Sequence, residues 1–155
     1  MDELRTTIAR DLLKFGAFLQ RIGDRVLRPF SVSQQEFAVL SAIVREGKPI
    51  YQTTIIVALL VERSNLSKIV KRLEMKGLIR VHPRPEDGRL RLLDASPSGV
   101  DLFRRANTAL IRWNKEWMEG FNGDDLLSLR EHLRRLNSSP SKIADDLETV
   151  ERRNN

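Results

Sequence analysis

The fold of this chain is decided by residues 51–99, which read YQTTIIVALLVERSNLSKIVKRLEMKGLIRVHPRPEDGRLRLLDASPSG. The stretch begins with a short apolar segment that includes the run Ile55–Val61, and it continues with a basic segment that ends at Gly77. Two segments of alternating apolar and basic residues then surround the tip sequence PRPEDGR. This order predicts a short helix, a turn, a second helix and a β-hairpin.

The second of these helices is predicted to have an apolar face and a cationic face. Its apolar face consists of Leu66, Ile69, Val70 and Leu73, which should pack inward. The opposite face carries Ser64, Lys68 and Lys71, and the flanks carry Asn65, Ser67 and Arg72. Such side chains suit a DNA major groove, where Asn and Ser hydrogen-bond to base edges while Lys and Arg neutralise phosphates. An ordinary solvent-exposed helix has a similar pattern, so the neighbouring segments have to decide between the two interpretations.

The neighbouring segments favour a helix-turn-helix. The tetrapeptide VERS has about the length of the turn in this motif, with Ser64 as the expected N-cap of the second helix. Gly77 is its expected C-cap, because many helices end at a glycine in the left-handed conformation. The first helix of the motif is expected to contain the apolar residues Ile55, Ile56, Ala58, Leu59 and Leu60.

After Gly77 the pattern is that of a two-stranded ribbon with one buried face. Ile79 and Val81 alternate with polar residues, and Leu90 and Leu92 do the same across the tip. The turn is marked by Asp87-Gly88, and two prolines stiffen it. Arg84 and Arg89 would therefore project from a rigid tip that fits a narrow minor groove, and His82 is expected to be a plain strand residue on the solvent side.

The positive charge of the chain is concentrated in the same block. The chain has 27 Lys and Arg against 21 Asp and Glu, a net charge of +6. Between Arg63 and Arg91 there are nine basic and three acidic residues, so eighteen of each sign remain elsewhere and cancel. A neutral body with one basic patch is expected of a protein that binds a polyanion, nucleic acid first.

Composition argues against several other classes. The length of 155 residues fits one compact domain. The apolar run Ile55–Val61 is too short to cross a bilayer and the N-terminus lacks the apolar core of a secretory signal, so we expect a cytoplasmic protein without membrane contact. There is no cysteine, and His82 and His132 lie fifty residues apart, so we expect no metal site and no cofactor. No activated nucleophile or paired acid and base can be assembled, and we expect that the chain is not an enzyme.

Long amphipathic helices are predicted on both sides of this block. One apolar stripe precedes Pro29 and contains Leu4, Ile8, Leu12, Phe15, Leu19, Ile22 and Val26. A second stripe follows DASPSG and contains Phe103, Ala106, Leu110, Trp113 and Trp117. Such stripes are often ordinary core, but helices of this length around a small middle domain are hard to bury within one chain. A second copy would cover them, which favours a homodimer.

Shorter helices are expected between and after these two. Ser33 and Glu36 have capping-box spacing and begin a helix that should end near Gly47. The leucines between residues 126 and 136 follow the helix breaker FNGDD, and an amphipathic tail follows SSPS with Ile143, Leu147 and Val150.

Two of these segments carry motifs of a known family. The predicted β-hairpin, hereafter the wing, and the residues after it hold an Asp-x-Arg, a hydrophobic strand, a Leu-Thr-like pair and a glycine twelve residues after the Asp. These are Asp87, Arg89, Ala95-Ser96 and Gly99. The cationic helix ends in a Leu-Glu-x-x-Gly-Leu pattern, at Leu73, Glu74, Gly77 and Leu78. The chain thereby resembles the winged helix-turn-helix regulators of the multiple antibiotic resistance regulator (MarR) family over nearly its whole length.

The resemblance implies a mainly α fold with a small β-hairpin wing, in which long terminal helices build a homodimer. The implied domains are a dimerisation helix over residues 1–30, a winged helix-turn-helix over 33–96 and further dimerisation helices over 97–155. It implies a transcriptional regulator of palindromic operators, usually a repressor that a small-molecule effector releases, with half-sites about 10 bp apart.

The same resemblance assigns roles to individual residues. DNA contacts are expected from Ser64, Asn65, Ser67, Lys68, Lys71 and Arg72 in the helix, and from Arg84, Arg89 and Arg91 in the wing. Asp87 is expected to orient the wing, because a carboxylate facing phosphate would be repelled. The chain departs from the family pattern at Ile55-Ile56, Leu60 and Tyr51. The alternative hypothesis is a winged-helix adaptor that binds another protein, which the cationic face disfavours because protein-binding surfaces expose apolar anchors.

Overall fold

The structure of the chain is a computed structural model that describes residues 1–59, 61–83 and 91–137. Its elements are α1 (Asp2–Leu27), a 3-10 turn (Arg28–Phe30), α2 (Gln34–Glu46), β1 (Ile50–Tyr51), α3 (Gln52–Leu59), α4 (Arg63–Met75), β2 (Ile79–Pro83), β3 (Arg91–Ala95), α5 (Pro97–Trp117) and α6 (Gly123–Asn137). The mainly α fold with a small sheet is therefore confirmed. The chain divides into two compact units, residues 1–113 and residues 114–155.

Some sequence-based expectations concern residues outside the described ranges. They are the wing tip with Arg84, Asp87 and Arg89, the bulky residue Leu60, and the amphipathic tail over residues 143–150.

Helix α4 packs on α2 through the face that its sequence predicts. Leu66, Ile69, Val70 and Leu73 are all fully buried, and α2 contributes Leu40 and Ile43 to the same core. The period of 3.6 residues places these four side chains on one side of α4, so burying them turns the polar side outward. The core thus fixes how α4 is rotated about its axis.

Helix α2 begins and ends where its capping residues predict. The Ser33 hydroxyl accepts a hydrogen bond from the Glu36 N–H at 3.1 Å, and the Glu36 carboxylate accepts one from the Ser33 N–H at 3.0 Å. Gly47 ends the helix with a φ of 68°. The capping box is therefore confirmed, and Glu36 is held close to the helix start.

The start of α4 differs from the sequence-based expectation. The helix begins at Arg63 with Glu62 as N-cap, so the predicted N-cap, Ser64, lies inside the first turn. The first backbone bond of this helix runs from the Leu66 N–H to the Glu62 carbonyl at 2.9 Å. The turn is therefore shorter than VERS. At the other end Lys76 is the C-cap, and Gly77, the predicted C-cap, is the next residue, with a φ of 68°.

The sheet has three antiparallel strands in the order β1-β3-β2. The sequence pattern predicts only β2 and β3, because β1 is two residues long. Leu93 lies opposite both Ile50 and Val81 and is fully buried. The expected inward residue of β3, Leu92, instead pairs with exposed His82 on the other side of the sheet.

The terminal helices form as predicted, but much of their apolar surface is open. In α1, the stripe residues Leu4, Ile8, Leu12 and Phe15 are exposed, whereas Leu27 at its end is buried. In α5, Leu102, Ala106 and Leu110 are buried. In the second unit, α6 buries none of its residues and exposes a row of leucines. A search of the described helices finds none that is both long and apolar enough to traverse a lipid bilayer.

Candidate nucleic-acid interface

The outward face of α4 is polar and cationic. Ser64, Lys68 and Lys71 are exposed on it, opposite the buried side of the helix. Lys68 and Lys71 lie on adjacent turns, so they present two ammonium groups along one side. The face offers hydroxyl and ammonium donors, which suit phosphate oxygens and base-edge acceptors.

The flanking residues of α4 are partly built into the protein. Asn65 and Ser67 are half-buried. Ser67 accepts a hydrogen bond from the Gln52 side chain at 3.1 Å, and Gln52 is the first residue of α3. This bond joins the two helices of the motif across the turn, so Ser67 is held in place before any ligand binds.

Arg72, the other flanking residue, is bound to a buried carboxylate. Its Nε donates to Glu36 Oε1 at 3.0 Å, and Lys76 Nζ donates to Glu36 Oε2 at 2.7 Å. Glu36 belongs to α2 and only 3% of its surface is exposed. Lys76 also donates to the Ser31 carbonyl at 2.8 Å. The last turn of α4 is thereby tied to the start of α2 by ionic hydrogen bonds.

The electrostatics of this cluster keep Glu36 ionised. Burial by itself raises the pKa of Glu36, but hydrogen bonds from Lys76, the Ser33 N–H and Arg72 outweigh it, and the pKa lies below its ordinary value of 4.5. Sequence spacing identifies Glu36 only as a capping residue. Its partners are about forty positions away, and no local pattern links them.

The wing contributes one described basic residue of the expected set. Arg91 is exposed at the first position of β3, opposite Pro83. In the same sheet, Arg80 approaches Asp94 to 4.0 Å on the neighbouring strand. His82 is an exposed strand residue, as the sequence analysis expected.

The end of the wing is fastened to the end of α4 by a serine and a glycine. The buried Ser96 hydroxyl donates to the Gly77 carbonyl at 2.6 Å and accepts from the Gly99 N–H at 3.0 Å, which caps α5. Ser98 donates to the same carbonyl at 2.8 Å. A Cβ atom at Gly99 would overlap the Leu78 carbonyl oxygen. The two hydrogen bonds of the Ser96 hydroxyl explain the serine at position 96, and the overlap explains the glycine at position 99.

A cavity of about 350 Å³ lies beside α4 in the first unit. Its wall comes from α1, α2 and the helix-turn-helix, and it comprises Gly16, Leu19, Gln20, Gln34, Gln35, Ala38, Val39, Leu59, Val61, Asn65 and Ile69. These side chains are apolar or carry uncharged amides. Gln34 Oε1 is buried and lacks a hydrogen-bond partner among the described residues. Within the same part of the chain, no group of His, Cys, Asp or Glu could hold a metal ion.

Comparison with known proteins finds a matching family model and a similar regulator. Residues 30–90 match the model of the MarR family. The chain is 26% identical over 127 residues to the HTH-type transcriptional regulator PecS of Dickeya dadantii, which covers 81% of this chain and 76% of PecS.

Solved structures share the fold. Mutant MarR from E. coli complexed with operator DNA superposes with a TM-score of 0.74 at 21% identity, covering 84% of this chain and 93% of that one. CouR from Rhodococcus jostii RHA1 bound to p-coumaroyl-CoA superposes with a TM-score of 0.77 at 18% identity, covering 84% and 91%.

Proposed function

We propose that this chain, whose residues 30–90 match the model of the MarR family, is a member of that family and a transcriptional regulator that binds double-stranded DNA through α4 and the wing. The expectation that the chain is not an enzyme is part of this proposal. In the proposal, Ser64, Asn65, Ser67, Lys68 and Lys71 face the major groove, and Arg84, Arg89 and Arg91 contact DNA from the wing, which Asp87 orients. Arg72, which the sequence also predicted to contact DNA, lies at the edge of this face and donates to Glu36 instead. In this proposal the protein acts in the cytoplasm as a repressor that binds a palindromic operator.

The observation that carries the proposal is the exposed cationic face of a helix whose opposite face is fully buried. Lys68 and Lys71 lie on this face, and the core prevents α4 from rotating them away. Phosphate contacts release counterions, so affinity should fall steeply as salt rises.

The first experiment is selection of fragmented genomic DNA by the purified protein at near-physiological salt, followed by sequencing. Enrichment of a palindrome would identify the operator, and Lys71→Met should then weaken binding. Lys48→Met is the matched control, because it removes the same charge from an exposed residue outside α4 and the wing. If no DNA is retained, the regulator hypothesis fails and a winged-helix adaptor that binds protein takes its place.

We further propose that the chain is a homodimer with the domain boundaries expected from sequence, residues 1–30, 33–96 and 97–155. The support is the exposed apolar stripe of α1, since a stripe of this length is costly to leave in water. Leu12→Arg places a charge within the stripe and should yield a monomer in sedimentation. Leu13→Arg, which changes an exposed leucine outside the stripe, should leave the mass unchanged.

We also propose that a small molecule bound in the cavity beside α4 regulates DNA binding. Asn65 lies both on the flank of α4 and in the cavity wall, so an occupant would touch a DNA-facing helix directly. The uncharged lining favours an uncharged ligand. Ala38→Phe should fill the cavity and abolish any ligand-induced release of DNA. Release that survives this change would place the effector elsewhere.

A further inference from the structure

Four basic residues, from the middle of α4 to its C-cap Lys76, divide into two groups according to what they contact. Lys68 and Lys71 are exposed on the outward face. Arg72 and Lys76 instead donate to the two oxygens of Glu36, at 3.0 and 2.7 Å. The side chains of Arg72 and Lys76 are 48% and 36% exposed, so both lie at the surface but point a donor inward.

We propose that Glu36 is a specificity-determining positioning residue: it holds Arg72 and Lys76 against α2, so that their charges are compensated within the protein and do not serve as phosphate contacts. This inference rests on the proposed DNA-binding function and assigns a role to a residue that does not itself touch DNA. Lys68 and Lys71 remain as the lysines of α4 that bind phosphate.

The stability of this arrangement follows from the burial of the carboxylate. A buried carboxylate must keep its hydrogen bonds, because an unpaired charge in the interior is strongly unfavourable. A phosphate that drew Arg72 and Lys76 away would leave Glu36 with the Ser33 N–H as its remaining partner among the contacts described here. Lys76 is restrained a second time by the Ser31 carbonyl. Competition by DNA is therefore disfavoured at both cations.

The consequence concerns discrimination between operator and other DNA. Phosphate contacts contribute to binding of any sequence, whereas base contacts distinguish sequences. Because Glu36 keeps Arg72 and Lys76 away from phosphates, each protomer binds DNA of any sequence less tightly, and no base contact is lost. Glu36 thus raises the ratio of specific to non-specific affinity.

The test is the salt dependence of binding to a random-sequence duplex, measured by fluorescence anisotropy from low to moderate NaCl for the full chain. Lys71→Met should reduce the slope of log Kd against log salt by about 0.9 for each protomer bound, the value for one phosphate contact. Lys76→Met removes the same charge from the C-cap of the same helix and should leave the slope unchanged. Glu36→Gln should steepen the slope by up to about 1.8 per protomer, because both cations are released.

The two lysine variants keep the test decisive even if Glu36→Gln does not fold, which circular dichroism would reveal. Equal loss of slope in Lys71→Met and Lys76→Met would overturn the inference, as would an unchanged slope in folded Glu36→Gln. Failure of the wild-type protein to bind any duplex would instead refute the proposed function itself. A selected operator duplex, measured in parallel, should show a lower specific to non-specific affinity ratio in Glu36→Gln.

Discussion

Replacing Ser96 with alanine should destabilise the joint between the wing and α5. The Ser96 hydroxyl caps the buried Gly99 N–H and donates to the Gly77 carbonyl, so Ser96→Ala removes an N-cap and leaves a buried donor without a partner. Loss of an N-cap costs about 0.5–2 kcal/mol, and an unsatisfied buried group costs about 1–3 kcal/mol. These two costs describe largely the same lost bond, so a total of about 2 kcal/mol is expected.

The matched control for this prediction is Ser98→Ala. Ser98 donates to the same Gly77 carbonyl at 2.8 Å but is exposed, so water can replace its hydroxyl. Thermal unfolding followed by circular dichroism should show a decrease in Tm of about 4–8 °C for Ser96→Ala, because 1 kcal/mol corresponds to about 2–4 °C at this chain length. The control should lose no more than about 2 °C. Equal losses in the two variants, or a Ser96→Ala protein that melts with the wild type, would refute the reasoning.

Three further predictions concern the same unit. Gly99→Ala should lower the free energy of unfolding in urea by about 2–3 kcal/mol, because the added Cβ overlaps the Leu78 carbonyl oxygen. A Cβ at Gly16 would meet nothing within 4 Å, so Gly16→Ala should instead stabilise α1 by up to about 1 kcal/mol. Gly77→Ala should cost about 1 kcal/mol, because its φ of 68° is unfavourable for alanine, and a lower urea midpoint would show it. The pKa of Glu36 is lower in the folded state than its ordinary 4.5, so its stabilisation is present above that value and is lost as the pH falls through the folded-state pKa. The difference in Tm between wild type and Glu36→Gln should therefore shrink from about pH 7 to about pH 3, and a constant difference would contradict this assignment.

The buried face of α4 could be predicted because its signal is local. Leu66, Ile69, Val70 and Leu73 repeat with the helical period, and the same arithmetic gives both the buried face and the outward one. The capping box of α2 is equally local and is confirmed. The left-handed glycine at the end of α4 is present as well, one residue beyond the C-cap, Lys76. A structural feature can be predicted from sequence when the residues that cause it are close together in the chain.

The sheet was harder to predict because its register depends on partners. β1 has two residues and no alternation of its own, and it becomes a strand only by pairing Ile50 with Leu93. That third strand buries Leu93 on the side where Val81 also lies, and Leu92 falls on the other side. In RLRLL the alternation admits either leucine, since a shift of one residue exchanges the faces.

The N-cap of α4 was predicted two residues too late, because several neighbouring residues could serve as N-cap. Glu62, Arg63 and Ser64 all follow the apolar segment, and serine is intrinsically the best N-cap of the three. The structure nevertheless begins the helix at Arg63, and no side-chain hydrogen bond caps it. An intrinsic preference of about 1 kcal/mol is smaller than the burial of Leu66 and Ile69, which determines where the helix must lie.

The number of cations available for the proposed DNA binding also depends on contacts that the sequence does not show. Nine basic residues lie between Arg63 and Arg91. Glu36, outside this window, pairs with two of them, whereas the 4.0 Å approach of Arg80 to Asp94 is long and half-exposed and holds its arginine weakly. Seven of the nine then remain to contact phosphate. At about 0.9 per contact, the wild-type salt slope should not exceed about 6 per protomer, against about 8 if all nine took part. A slope near the higher value would mean that DNA breaks the bonds to Glu36.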